Sequence, residues 1–239
     1  MYLENLGFDA VDPHRLGGFW EAALDCSRLT DEPDIVESRL ELGGDLYLDL
    51  CFPRVPQRRT EPLRLHLDLV GGDRQQETVD ALLALGARHL DIGQGDVPWV
   101  VLADPEDNPF CVMESRDAYV DTGPIAALPM DSADPDRDGE LWAALSGWTP
   151  VDGYAPVSLR HPSRRGPLLE FCPEEGPKGP EKNRLHLDIR LERGDDPDEA
   201  EQLILAHGGR RYDHDWGDLP WQVYADGSGN ELCVLPAPS

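Results

Sequence analysis

Positive charge is scarce in this chain. Across 239 residues, 21 Lys and Arg stand against 47 Asp and Glu, a formal net charge of −26, and a surface of that sign repels phosphate backbones and anionic lipid alike. Nucleic acid and membranes are therefore not expected as partners. Long apolar runs are missing too: none approaches the roughly 20 residues of a membrane span. Met1-Tyr2-Leu3-Glu4-Asn5 shows neither the basic nor the apolar region of a signal peptide, so a cytoplasmic location is expected. Cysteine is sparse. The five present, Cys26, Cys51, Cys111, Cys172 and Cys233, form no CxxC or zinc-finger spacing, and an odd number without a secretion signal predicts reduced thiols. Phosphate-binding glycine spacing is also absent, and Gly43-Gly44 and Gly71-Gly72 read as turns.

What the chain does have is a repeat. Arg64-Leu65-His66-Leu67-Asp68-Leu69 returns 120 residues later as Arg184-Leu185-His186-Leu187-Asp188-Ile189. Strict alternation of charged and apolar residues predicts a half-buried β-strand. Leu65, Leu67 and Leu69 then face a core, while Arg64, His66 and Asp68 emerge together on the opposite side, as do Arg184, His186 and Asp188. Further landmarks match at an offset of 122: Gly95-Asp96-Val97-Pro98-Trp99 with Gly217-Asp218-Leu219-Pro220-Trp221, and Ala103-Asp104 to Cys111-Val112 with Ala225-Asp226 to Cys233-Val234. So many landmarks in one order identify a tandem duplication. Domains are expected over 1–118 and 124–239, each of about 115 residues and large enough to bury a core.

Helix starts are marked by Asp12-Pro13, Asp134-Pro135 and Asp196-Pro197, an N-cap followed by proline in the first turn. Leu16, Phe19, Trp20, Ala23 and Leu24 form one apolar stripe on the first helix. Asp73 and Gln76 stand at capping-box spacing for a helix that Gly86 can close. Strands are expected over 6–11, 35–42, 46–52, 88–92, 98–103, 110–114 and 125–130, around the two alternating segments. The first half thus reads β-α-β-β followed by β-α-β-β-β, an α+β pattern.

Through Asp12-Pro13 to Trp20, Arg64 to Asp68, and Asp104-Pro105 to Asn108-Pro109-Phe110-Cys111-Val112, with their copies, the chain resembles the vicinal oxygen chelate superfamily. That group includes glyoxalases, extradiol dioxygenases and bleomycin-resistance proteins, and the chain looks most like its glyoxalase-like branch in a tandem two-domain form. The resemblance implies paired βαβββ modules whose curved mixed sheets enclose a cleft, in an intramolecular pseudo-dimer formed by a monomeric chain. Metal enzymes of the family hold a divalent ion with His, Glu or Gln from the first and last strands of both modules. Carried over, one such histidine coincides with His66 and another with His186. The expected glutamates are replaced by Cys111 and Cys233, and segments 6–11 and 125–130 offer no ligand. Ion sites need about three or four converging donors, so neither metal nor cofactor is expected.

The candidate chemistry rests on the polar triplets. His66 and Asp68 share a face about 7 Å apart at Cα, and a carboxylate beside an imidazole can set its tautomer for general-base work. The alternative is an Arg-His-Asp network that satisfies itself across the sheet. The catalytic candidates are accordingly His66, Asp68, His186 and Asp188. Cys111 and Cys233 read as small buried hydrophobes, the alternatives being thiolate ligands alongside His66 and His186 or nucleophiles. Trp99 and Trp221 suit either the stacking walls of a cleft or core packing. The expected ligand-binding set is Arg64, His66, Asp68, Trp99, Arg184, His186, Asp188 and Trp221. Arg58, Arg59, Lys178 and Lys182 add positive charge suited to an anionic or carbonyl-bearing ligand. The function expected is metal-free binding of a small molecule, including sequestration of a drug or metabolite. The alternatives are a lyase- or isomerase-type enzyme using either His–Asp pair, or a metal-dependent glyoxalase- or dioxygenase-like enzyme with unusual ligands.

Overall fold

The computed structural model describes residues 1–57, 60–214 and 216–238. A first βαβββ module consists of β1 (Tyr2–Phe8), α1 (Pro13–Leu24), β2 (Ser27–Glu32), β3 (Ile35–Gly43) and β4 (Leu46–Pro53). A second consists of β5 (Asp68–Val70), α2 (Gln75–Leu85), β6 (Arg88–His89), β7 (Val100–Ala103) and β8 (Pro109–Met113). The other half repeats the order with β9 (Ile125–Ser132), α3 (Pro135–Ser146), β10 (Thr149–Val151), β11 (Val157–Arg160) and β12 (Leu168–Pro173). Its last module is β13 (Leu185–Arg190), α4 (Pro197–Ala206), β14 (Arg210–Arg211), β15 (Gln222–Ala225) and β16 (Glu231–Leu235).

The fold is the α+β tandem duplication that the sequence predicts, and its modules pair across the halves. The first sheet runs β14-β15-β16-β13-β1-β4-β3-β2 and the second β10-β11-β12-β9-β5-β8-β7-β6. Antiparallel joins of β1 to β13 and of β5 to β9 make the two seams. Each mixed sheet therefore takes one module from each half, and the repeats are interleaved in space.

Local chemistry explains most boundaries. Asp12 and Asp134 accept hydrogen bonds from the Arg15 and Arg137 N–H groups, with proline next in the chain. The expected capping box does not form: a 3-10 turn over Gly72–Arg74 precedes α2, and Gln76 bonds Asp80 instead. Gly86, at φ 113°, does close α2. β1 covers Tyr2–Phe8 rather than 6–11, because the Val11 and Asp12 N–H groups are drawn to the Glu106 carboxylate of the other sheet at 2.9 and 2.7 Å. β2 escaped the sequence reading since it is a largely exposed edge strand without alternation.

β5 is shorter than the alternating segment that contains it. The His66 N–H donates to the Pro129 carbonyl at 3.1 Å, but proline has no N–H to return, so the regular ladder starts only at Asp68. In the other seam Gly7 faces His186 and β13 is continuous. In both copies the apolar residues of the segment are buried, as alternation requires.

One hydrophobic core contains residues of both sheets and all four helices. Trp20 of α1 lies 5.5 Å from Phe8 of the first sheet and 5.1 Å from Phe110 of the second, between ring centres. Its buried N–H donates to Asp104 Oδ2 at 3.1 Å. Asp104 also accepts from the Glu106 and Asn108 N–H groups and from the Asn108 side-chain amide. Asp226 repeats this with Ser228, Asn230 and Trp142. Into these turns reach the strand arginines: Arg184 Nη1 donates to Asn108 Oδ1 at 2.9 Å and Arg64 Nε to Asn230 Oδ1 at 2.8 Å. The strand of each half is thereby tied to the turn of the other.

Burial, reinforced by the nearby Asp138 charge and opposed by the turn's hydrogen bonds, raises the Asp226 carboxyl to about 6, against about 4 in an unfolded chain. The folded protein then keeps a proton that the unfolded chain gives up. This contribution is complete below about pH 4 and is lost as pH rises through about 6, on the order of 3 kcal/mol. Asp226→Asn is expected to flatten the fall in thermal midpoint across that window, and a midpoint curve parallel to wild type would refute the assignment.

Candidate functional site

On the second sheet β5 and β8 run parallel, with Asp68 in register beside Cys111. That register brings His66, Asp68 and Cys111 together, one nitrogen, oxygen or sulfur atom of each lying within 4.8 Å of the others. His66 Nε2 is 3.4 Å from Asp68 Oδ1. A cleft of about 940 Å³ reaches this group, lined by His66 and Cys111 together with Leu63, Ile92, Val101 and Phe110. The His66 side chain is 35% exposed and that of Asp68 only 8%. Asp68 Oδ1 accepts no hydrogen bond among the described residues. Burial and then the Asp68 charge push the Cys111 thiol far above its usual range, so by itself it is no thiolate nucleophile at neutral pH.

The first sheet repeats the group. β13 and β16 run parallel with Asp188 beside Cys233, His186 joins them within the same 4.8 Å, and His186 Nε2 again lies 3.4 Å from Asp188 Oδ1. Access differs, because the His186 side chain is only 9% exposed. Its ring lies over Gly7, where a Cβ would overlap it. The Cys233 N–H donates to Asp188 Oδ1 at 3.2 Å. Burial lifts the Asp188 carboxyl to about 7 against hydrogen bonds from Cys233 and Asn5 and the Lys182 charge. Burial, then Lys182, hold His186 well below its usual 6.5, so this imidazole is neutral at neutral pH.

The remaining candidates fall in three places. Arg64 and Arg184 border the cleft, but their guanidinium groups are engaged by Asn230 with Glu174 and by Asn108, so the triplets do not act as triplets. Trp99 packs with Val101, Cys111, Met113 and Tyr119, and Trp221 with Val223, Cys233 and Leu235, each beside its own triad's cysteine. The charges of Lys178 and Lys182 are met by Glu231 at 3.0 Å and Asp9 at 2.6 Å. Arg58 and Arg59 lie outside the described residues. Sequence reasoning missed Arg116, whose guanidinium stands 4.5 Å over the Tyr154 ring and 5.5 Å over that of Trp99. It had set Cys111 and Cys233 beside His66 and His186 only as the lesser alternative to small buried hydrophobes, and the structure brings them together with both pairs.

A divalent ion is implied by the superfamily's metal enzymes, and their ligand set is not reproduced. Opposite Asp188 and His186 the first seam offers Asn5 and Gly7, and opposite Asp68 the second offers Ala127. Yet where the resemblance left one donor per half, the structure brings a nitrogen, an oxygen and a sulfur atom together in each. Such a nitrogen, oxygen and sulfur set fits a divalent ion of the zinc class.

The Gly7 contact is testable. Gly7→Ala places a methyl group in the space of the His186 ring and is expected to cost about 1–3 kcal/mol through overpacking. Urea unfolding reads the loss, and histidine ring NMR signals should shift for His186 and not for His66. An unchanged unfolding midpoint would contradict the packing described.

The glyoxalase-like domain family matches residues 5–113 and, a second time, 127–235. Among curated proteins no sequence matches the chain. Glyoxalase I from Zea mays superposes with a TM-score of 0.67 at 12% identity, covering 98% of this chain and 92% of that one. A putative dioxygenase from Bacillus subtilis subsp. subtilis str. 168 gives 0.64 at 14% identity, covering 100% and 86%. At such identities the likeness is one of fold. With both halves matched by one family, the chain belongs to the glyoxalase-like domain family, carrying the domain twice in tandem.

Proposed function

We propose that the protein binds a small molecule in the cleft of the second sheet, with His66 at its floor, and that the His186 group is its buried structural counterpart. One observation carries this reading. Two groups of the same composition and geometry differ in access: His66 is 35% exposed in a cleft of about 940 Å³, while His186 is 9% exposed. Small-molecule sites are concave, of about 300–1,000 Å³, mostly apolar, with a few placed polar groups. Leu63, Ile92, Val101, Pro109 and Phe110 supply the apolar wall. Membership of the glyoxalase-like family supports a ligand at this face of the sheet, and the cleft reading itself does not depend on a metal.

A second reading, acid–base catalysis, is favoured by the 3.4 Å approach of His66 to Asp68, which orients a solvent-accessible imidazole. A cytoplasmic setting suits five free cysteines. Among the described residues no helix is long and apolar enough to cross a membrane.

His66→Asn and His186→Asn separate the two sites. The first is expected to leave the thermal midpoint near that of wild type while abolishing ligand binding. Binding is read by native mass spectrometry of co-purified material and by thermal shift against small carbonyl and carboxylate compounds. His186→Asn leaves buried partners unsatisfied and should lose about 1–3 kcal/mol. Two variants with the same midpoint and the same binding would defeat the asymmetry; turnover that saturates with substrate would decide for the enzyme.

A further inference from the structure

We propose that a second cavity, at the β10 edge of the second sheet, binds a small organic monocarboxylate through Arg160 and Arg164. The cavity has a volume of about 480 Å³ and shares no lining residue with the cleft over His66. Val151 of β10, Arg160 of β11 and Leu168 of β12 supply its sheet side, and Ala118 comes from the segment that joins the halves. Tyr154, 54% exposed, adds an aromatic ring. The size suits a small molecule, and these side chains give an apolar or aromatic body surface to bury against.

Arg160 gives the cavity its chemistry. It is 8% exposed, yet in a chain with 47 acidic side chains no carboxylate lies within ion-pair distance of it among the described residues. Arg39, Arg64, Arg116 and Arg190 each reach one. Arg160 Nε instead donates to the Gly166 carbonyl at 3.0 Å and Nη2 to the Val120 carbonyl at 2.7 Å. Two carbonyls from different segments thus fix the guanidinium plane without neutralising it, and Nη1 has no acceptor among the described residues. Burial lowers the guanidinium from its usual range, against the Asp121 charge and with that of Arg164, but an arginine keeps its proton at any ordinary pH. Arg164 brings a second, exposed guanidinium to the same cavity. A planar cation with a donor to spare matches a carboxylate. Asp117 and Asp152, both exposed, line the cavity as well, and their like charge disfavours a dianion such as phosphate. The inference goes beyond the reading given for the His66 cleft and stands without it.

The test titrates the full chain with sodium benzoate and sodium hexanoate by calorimetry, with neutral benzamide and inorganic phosphate as comparisons. Saturable binding of the carboxylates is expected, with benzamide weaker by about tenfold or more, the loss of one charge-assisted contact. Arg160→Lys keeps the charge but not the fork, and should weaken benzoate by about tenfold. Because Arg160 also ties Val120 to Gly166, Arg164→Gln at its exposed position is the companion variant, expected to weaken benzoate by about threefold. Circular dichroism confirms which variants are folded, and if Arg160→Lys is not, Arg164→Gln decides. The proposal is overturned by the absence of saturable carboxylate binding, by benzamide or phosphate binding as tightly as benzoate, or by unchanged benzoate affinity in folded Arg164→Gln. Benzoate binding lost in His66→Asn but retained in the arginine variants would put the carboxylate in the other cleft, overturning this site and leaving the His66 reading standing.

Discussion

Two buried guanidinium groups, each held by the asparagine of a turn from the opposite half, set the geometry on which everything else depends. A hydrogen bond from a charged donor to a neutral acceptor contributes about 1.5–3 kcal/mol. Arg64 meets Asn230 and Arg184 meets Asn108. Each asparagine is fixed by the aspartate of its own turn, which in turn accepts from Trp20 or Trp142 on a helix. Helix, turn and strand are thus linked in series across the boundary between the sheets. The position of one sheet relative to the other follows from it, and so does the place where a cleft opens over His66.

Within this near-symmetric frame the two sites are not equivalent. His66 and His186 have the same neighbours along their own strands, and they differ in what faces them across a seam. Gly7 leaves room for the His186 ring to lie flat and buried. Pro129 interrupts the ladder beside His66, and Ala127 stands where the other seam has Asn5. The difference in exposure rests on a few residues of β1 and β9.

Three of the cations near the repeat strands are paired with carboxylates. Lys178 pairs with Glu231, Lys182 with Asp9, and Arg64 with Glu174. His66 and the Cys111 thiol line the cleft against apolar walls, and the buried Asp68 carboxylate lies 3.4 Å from His66 Nε2.

Alternation alone showed which side chains of Arg64 to Leu69 and Arg184 to Ile189 share a face, because the strand period is a local property of the backbone. Capping aspartates marked three of the helix starts for the same reason, and recurrence of both signals established the duplication and the family. The capping box at Asp73 failed because a 3-10 turn took its place, and β2 left no trace because an exposed edge strand needs no apolar period. Which module pairs with which, that Cys111 stands beside Asp68, and that the arginines of the repeat leave their histidines to bind distant turns were decided by the tertiary structure. So was the difference in exposure between two histidines in nearly identical segments. Burial is fixed by the residues that lie opposite, and Gly7 and Pro129 are brought there by pairing between strands of different halves, which no local period encodes.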